Sequence, residues 1–234
     1  MWILALDTST RGGSAAVAQD GNVVASLRGD PSRTHGERLP NDLIGLAGTA
    51  GVALAGIDYY SVAIGPGSFT GLRVGIATVQ ALALAAGRPV VPLSTLDVLA
   101  RIGADTGPQG ETAQERVVVW MDGQRQEIFG GLYDADGRTP LDEPRVGPAA
   151  ALLDYWAPLL ASRSLTVIGD GIEATRDLLD ARLGSRGKLR EPPPLAPAMI
   201  RLAVETVDTA VEPHAVQPLY VRRPDAVRAR ERGR

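Results

Sequence analysis

Two aspartates stand where apolar runs end: Asp7 after Ile3–Leu6, and Asp122 after Val117–Met121. Two glycine turns close later runs in the same way. Ile64 is followed by Gly65-Pro66-Gly67-Ser68, Ile168 by Gly169-Asp170-Gly171, and a helical pattern follows each. Carboxylates at strand ends can hold Mg²⁺ or its waters, and glycine turns at helix starts can hold phosphate, so the set suggests nucleotide chemistry. The spacing disagrees. A dinucleotide fingerprint needs G-x-G-x-x-G, and Gly65, Gly67 and Gly71 run one residue too wide. A P-loop needs a lysine after its second glycine, and the only lysine is Lys188. A nucleophile elbow, G-x-S-x-G, is absent because Ser68 follows Gly67 directly. The spacing favours a bend and a helix start, with Ser68 or Thr70 as cap. Asp7 would then cap the Thr-Ser-Thr turn, and Asp122 the turn at Gly123. A weak nucleotide-binding ATPase using Asp7, the Gly65–Ser68 loop with Gly65, Gly67 and Ser68, and Asp122 stays open as the alternative.

Other chemistries have less to work with. The 234 residues include no cysteine, which removes disulfides, thiolate catalysis and Cys-bound zinc. There are two histidines, His35 and His214. A helical metal pair needs a ligand four residues on, and the residue four after His35 is Leu39. No metal and no cofactor is expected, and His35 reads as a surface or interface residue. Apolar residues make up 44%, enough for a core, and the net charge of −3 gives no global attraction for nucleic acid. Arginines crowd the C-terminus at Arg222, Arg223, Arg228, Arg230, Arg232 and Arg234. A solvated tail is favoured over an RNA contact, because no aromatic accompanies them after Tyr220. The start lacks a basic n-region, and no apolar run reaches a membrane span, since Arg73 and Gln80 interrupt the best candidate. A soluble cytoplasmic protein is expected.

The elements that must position these residues come in two similar sets. The first is strand Ile3–Leu6, strand Ser14–Ala18, an Asp20-Gly21 hairpin turn and strand Val23–Leu27. A helix follows with Thr34 and Glu37 as capping box, and Pro40 predicts a kink or a late start. Strand Tyr60–Ile64, a helix from Thr70, strand Val90–Val91 and helix Ser94–Ile102 complete the set. The polar stretch Gly103–Glu115 reads as a boundary. The second set is strand Val117–Met121, strand Glu127–Tyr133, a turn at Asp136-Gly137, helix Pro148–Leu160, strand Leu165–Ile168 and helix Ile172–Leu183. Strand-then-Asp and strand-Ile-Gly-x-Gly-helix recur in the same order, which argues for internal duplication. The predicted class is α/β: two tandem ribonuclease H-like units of the actin-like ATPase (ASKHA) architecture, with mixed sheets and helices on their faces. The first unit is expected over 1–103, joined by 212–234, and the second over 104–211, closed by a helix over Ala198–Val211.

The helix from Thr70 is apolar almost all round. Leu72, Ile76, Val79 and Ala83 follow one face, and Gly75, Thr78, Leu82 and Ala85 another; Arg73, Ala77 and Gln80 form a thin mixed stripe. Such a helix must be covered on more than one side. The sheet covers one. Small residues at Gly71, Gly75, Ala77 and Ala81 would admit a second helix, either the chain's own over 34–50, with Leu39, Leu43 and Leu46, or a partner's.

The stretches "LALDTST", "THGERLP", "AIGPGSFTGLRVGIATVQALA", "VPLSTLDVLA", "MDGQRQEIF" and "PLYVR" resemble the TsaB (YeaZ) family from about residue 2 to 223. The resemblance implies a role in making threonylcarbamoyladenosine beside the tRNA anticodon. It implies a non-catalytic partner and activator of TsaD, the paralogue that carries the metal, with TsaE joining the assembly and tRNA met indirectly. It implies a heterodimer with TsaD, or a homodimer, through the two first-unit helices, at His35, Leu39, Leu43, Leu46, Leu72, Arg73, Ile76, Val79, Gln80 and Ala83. The aspartates and glycine turns become a vestigial nucleotide cleft. An older label calls such relatives glycoprotease-like, but this chain has no thiol, no ligand cluster and no histidine beside a plausible serine for a metallopeptidase.

Overall fold

A computed structural model describes residues 1–105 and 115–221. The arginines from Arg222 onward and most of the predicted boundary stretch lie outside the described residues.

The first unit starts with β1 (Trp2–Asp7), β2 (Ser14–Gln19) and β3 (Asn22–Arg28), an antiparallel meander. Asp20 and Gly21 both have positive φ, as the tight hairpin turn requires. Helix α1 (His35–Ala50) follows. Glu37 accepts hydrogen bonds from the Thr34 backbone N–H at 2.9 Å and from Thr34 Oγ1 at 2.7 Å. The helix starts at His35 and not after Pro40; Gly51, in the left-handed region, ends it. Then come β4 (Tyr59–Gly65), α2 (Phe69–Ala86), β5 (Val90–Ser94) and α3 (Thr95–Asp105). β4 and β5 add parallel to β1, giving the sheet order β3-β2-β1-β4-β5.

The second unit holds β6 (Glu115–Asp122), β7 (Glu127–Asp134), β8 (Arg145–Pro148), α4 (Ala149–Leu160), β9 (Ser164–Ile168), α5 (Ile172–Leu183) and β10 (Gly187–Arg190). Its sheet order is β10-β9-β6-β7-β8. Numbered within its own unit, each sheet runs 3-2-1-4-5, with the first three strands antiparallel and the last two added in parallel. The duplication read from the motifs is thus a duplication of topology. Strands β8 and β10 were not foreseen: each has four residues, and neither forms an apolar run.

The division between units falls at Ile102/Gly103, but the expected second unit of 104–211 is corrected at its far end. Residues 192–218 belong with the first unit, and 219–221 with the second, so the expected joining of 212–234 to the first unit holds over 212–218. Helix α6 (Ala196–Glu205), shorter than the predicted 198–211, packs on β1 and β2 and buries Ala196, Met199, Ile200 and Ala203. Its Ala196 N–H donates to Ser14 Oγ at 3.0 Å. Apolar area decides the placement: β1 is buried from Ile3 to Asp7, so its sheet must be covered on both faces. Leu4, Leu6, Val17, Tyr60 and Val62 share a core with α1 and α2, and α6 lies against the same strands. In the second unit Trp120, Leu132, Trp156, Leu165, Val167 and Leu179 pack together.

Helix α2, at 18 residues, is long and apolar enough to cross a membrane by length and composition alone. The sequence expectation had no such segment. Leu72, Ile76, Val79 and Ala83 are buried in the first-unit core, which accounts for the apolar residues on one face of it.

Candidate functional site: filled strand-end loops and an exposed helix face

In the first unit the loop after β1 fills the space left by the glycines of the second turn. Asp7 is buried, and its carboxylate is taken up locally. Oδ1 accepts from the Ser9 N–H at 2.8 Å and from Ser9 Oγ at 2.6 Å, and Oδ2 accepts from Thr10 Oγ1 at 2.6 Å. The Ser68 N–H donates to the Ser9 carbonyl at 2.8 Å. A side chain at Gly67 would come within 2.5 Å of that carbonyl; one at Gly71 would overlap the Thr8 carbonyl, and one at Gly75 the Thr8 hydroxyl. The glycines therefore admit Thr8 and Ser9 of the same chain. Ser68 caps α2, accepting from the Gly71 N–H at 3.2 Å. The turn-capping and helix-start readings describe this geometry, and Gly71 and Gly75 are not the seat of a partner helix.

The second unit repeats the theme with a more open carboxylate. The Gly171 N–H donates to the Trp120 carbonyl at 3.0 Å, and the Asp122 N–H to Asp170 Oδ1 at 2.9 Å. The backbone of Gly169 lies against that of Trp120 too closely for a side chain. Asp122 itself is exposed and accepts from the Gln124 N–H at 2.8 Å and Gln124 Nε2 at 3.1 Å. Among the described residues, no three His, Cys, Asp or Glu side chains converge as ligands.

The residues expected to face a partner divide sharply. Leu39, Leu43, Leu46, Leu72, Ile76, Val79 and Ala83 are all buried in the first unit's own core. Their side chains face inward, so as interface residues they are corrected. Gln80 is engaged internally: its Nε2 donates to the carbonyls of Pro213 at 2.9 Å and Val216 at 3.1 Å, clamping the returning chain onto α2. Of the expected set, Arg73 is exposed, its guanidinium 4.0 Å from the Phe69 ring centre. The outward faces hold residues the sequence reading did not select. Leu84 is 73% exposed, Ile44 62% and Phe69 45%. Gly45 and Gly48 of α1 are also exposed, as are Ala77 and Ala81 of α2, two of the small residues expected to admit a neighbouring helix. α1 and α2 touch each other, so both belong to one side of the first unit. The period of 3.6 marks which residues share a stripe, but an all-apolar helix does not reveal which stripe the sheet takes.

His35 lies at neither a metal site nor an open surface. It is half-buried at the start of α1, its Nδ1 2.9 Å from Arg38 NH2. Burial first, and the Arg38 charge second, push its pKa below the ordinary value. Arg38 is itself 3% exposed, pairs with Asp42 at 2.6 Å and donates to the Gly12 carbonyl. Sequence reasoning missed Arg38; the signal was Gly13 and Gly29, which leave room for its guanidinium.

The doubled 3-2-1-4-5 sheet with paired strand-end loops defines an actin-like protein of ribonuclease H-type units. A family model described as TsaD, tRNA N6-adenosine threonylcarbamoyltransferase, matches residues 29–166. The tRNA threonylcarbamoyladenosine biosynthesis protein TsaB of Escherichia coli is 35% identical over 136 residues, 58% of this chain and 56% of that one. The protein of the same description from Bacillus subtilis is 25% identical over 233 residues, 97% of this chain and 96% of its own length. A crystal structure from Pseudomonas aeruginosa, of an uncharacterised protein with similarity to peptidase YeaZ, superposes with a TM-score of 0.78 at 30% identity. That match covers 94% of this chain and 99% of the other. The chain belongs to the TsaB/YeaZ family.

Proposed function

We propose that this chain serves the threonylcarbamoyladenosine modification of tRNA as a non-catalytic partner and activator of TsaD. TsaE joins the same assembly, and the work is done in the cytoplasm. The role comes from the family: its members named above are threonylcarbamoyladenosine biosynthesis proteins. The observation that carries the partner reading is the exposed apolar side of the first unit, where Ile44 of α1 and Phe69 and Leu84 of α2 project from helices whose opposite faces are buried. Large apolar side chains left outside a finished core mark contact surfaces when they cluster. A specific interface needs about 800 Å² from each partner, which two helices of this length can supply. Phe69, Arg73, Ala77, Ala81 and Leu84 of α2, with Ile44, Gly45 and Gly48 of α1, replace the buried residues as the proposed docking set. A homodimer through the same side would compete with TsaD for it, and tRNA would be reached through TsaD. The filled loop at Thr8 and Ser9 supports the non-catalytic reading, because the space a phosphate would need at Gly67 and Gly71 holds the chain itself.

Reconstitution tests this. TsaD activity on tRNA, with TsaE present, is expected to depend on this chain. Ile44→Glu and Leu84→Glu should each abolish TsaD capture while leaving the circular dichroism spectrum unchanged. Full capture and full activation by both variants would place the interface elsewhere.

A further inference from the structure

The start of α1 is tied to the loop after β1 by an arrangement that needs an uncharged imidazole. Arg38 reaches into a cradle of backbone: it donates to the Gly12 carbonyl, and a side chain at Gly29 would overlap its guanidinium. The space at Gly13 is bounded by the Asp7 carbonyl, His35 Cε1 and Arg38 NH2. Buried arginines normally satisfy all five N–H donors, yet Arg38 Nε has no partner. NH1 goes to Asp42 and NH2 to Gly12 and to His35 Nδ1. A guanidinium carries no acceptor, so Nδ1 must accept. The other ring nitrogen is then the one that carries hydrogen, and His35 also bonds the Thr10 carbonyl. His35 thus joins Arg38 on α1 to Thr10 in the loop that caps Asp7.

We propose that His35 and Arg38 form a pH-sensitive latch between α1 and the loop of residues 8–13, closed while His35 is neutral and released when it takes a proton. A proton on Nδ1 would set a donor and a second positive charge against a buried guanidinium that cannot accept. The other charges facing the pair are few. Asp7 attracts the imidazolium from the end of β1 but is occupied by Ser9 and Thr10. Asp42 on α1 is bound to Arg38, and Asp30, beyond β3, faces Arg38 while bonded to Ser32. None offers the new N–H an acceptor in place of Arg38. Protons therefore bind the open form better: burial of the ring first, and the Arg38 charge second, depress the folded pKa, outweighing Asp7 and the Thr10 bond, which raise it. Above the ordinary value of 6.5 the latch carries no penalty; the penalty sets in below it and grows until the folded pKa is passed. Because α1 also carries Ile44, the latch would anchor the docking side in a pH-dependent way, a consequence that rests on the docking reading.

The isolated chain tests the latch with no partner present, so its failure and that of the docking reading are distinguishable. Hydrogen exchange of residues 8–13 and 35–39 is followed at pH 7.5 and 5.0, corrected for the intrinsic pH dependence. The wild type should lose protection at pH 5.0 relative to pH 7.5. His35→Asn keeps an acceptor for Arg38 but cannot protonate, and should hold its protection. In the wild type, NMR titration of the ring should give a midpoint below 6.5. A midpoint at or above that value, equal loss in both proteins, or unchanged protection in both would overturn the latch. If His35→Asn fails to fold, the wild-type midpoint decides.

Discussion

Gly75→Ala is the most direct probe of the filled loop. In the middle of α2, a glycine-to-alanine change should by helix propensity alone stabilise by about 1 kcal/mol. The structure reverses that sign. The new methyl would overlap Thr8 Oγ1 and lie 3.0 Å from both Thr8 Cβ and Cγ2. Thr8 is fully buried in the loop tied to Asp7 and Ser68, so it cannot swing aside cheaply. Overpacking of this kind costs roughly 1–3 kcal/mol, which against a gain of about 1 kcal/mol leaves a net loss of up to about 2 kcal/mol. At its upper end that loss corresponds to roughly 30-fold more opening. Hydrogen exchange of the α2 amides in rising urea reads this for the first unit separately. Two controls sharpen the result. Gly48→Ala, where nothing lies within 4 Å of the new methyl, should stabilise by about 1 kcal/mol. Thr8→Ala removes the overlapping hydroxyl, which has no hydrogen-bond partner, so Gly75→Ala should cost less in that background. If Gly75→Ala stabilises as much as Gly48→Ala, Thr8 does not fill the space, and the argument against a phosphate at this loop loses its footing.

Two other changes test single contacts. Gln80→Leu removes two hydrogen bonds to the returning chain, at about 1 kcal/mol each, and should speed proteolysis near Pro213–Val216 without unfolding α2. In the second unit Asp142 accepts from Trp156 Nε1 at 2.7 Å and pairs with Arg145, whose hydrogen bond holds the Asp142 carboxyl below the usual range. The Asp142 contribution is present above the ordinary value of 3.8 and is lost as pH falls through the lower folded pKa. Asp142→Ala strands the buried indole N–H and should cost roughly 1–3 kcal/mol, read in the urea midpoint. Asp142→Asn keeps an acceptor and should cost less; equal costs would refute the role given to the Trp156 bond.

The doubled architecture was legible because it rests on local signals. Asp20-Gly21 sets a hairpin, Glu37 closes the start of α1, and the two Ile-Gly-x-Gly turns recur at the ends of β4 and β9. What was not legible depended on contacts between residues far apart in the chain. Nothing local in 196–205 says that its apolar face belongs on β1 rather than on the sheet made just before it. The face of α2 turned to solvent could not be chosen from its sequence, because Leu84 and Val79 differ only in what the sheet covers. The glycines of α2 suggested a neighbouring helix, but Thr8, more than sixty residues upstream, fills their space. At Asp7 the residue type alone fits a metal or a turn cap, and only the hydrogen bonds to Ser9 and Thr10 separate the two.

The placement of α6 bears on how the chain is built during synthesis. The first unit is assembled from two stretches, 1–102 and 192–218, with residues 103–191 of the second unit between them. A ribosome that has passed Glu191 has supplied all five strands of the second sheet but has yet to supply the helix that covers β1 and β2. Until Ala196–Glu205 emerges, Ser14 lacks its contact with the Ala196 N–H and those strands lack their α6 cover. The later-made sheet can therefore be complete before the first gains its α6 cover, against the usual N-terminal-first order of multidomain chains.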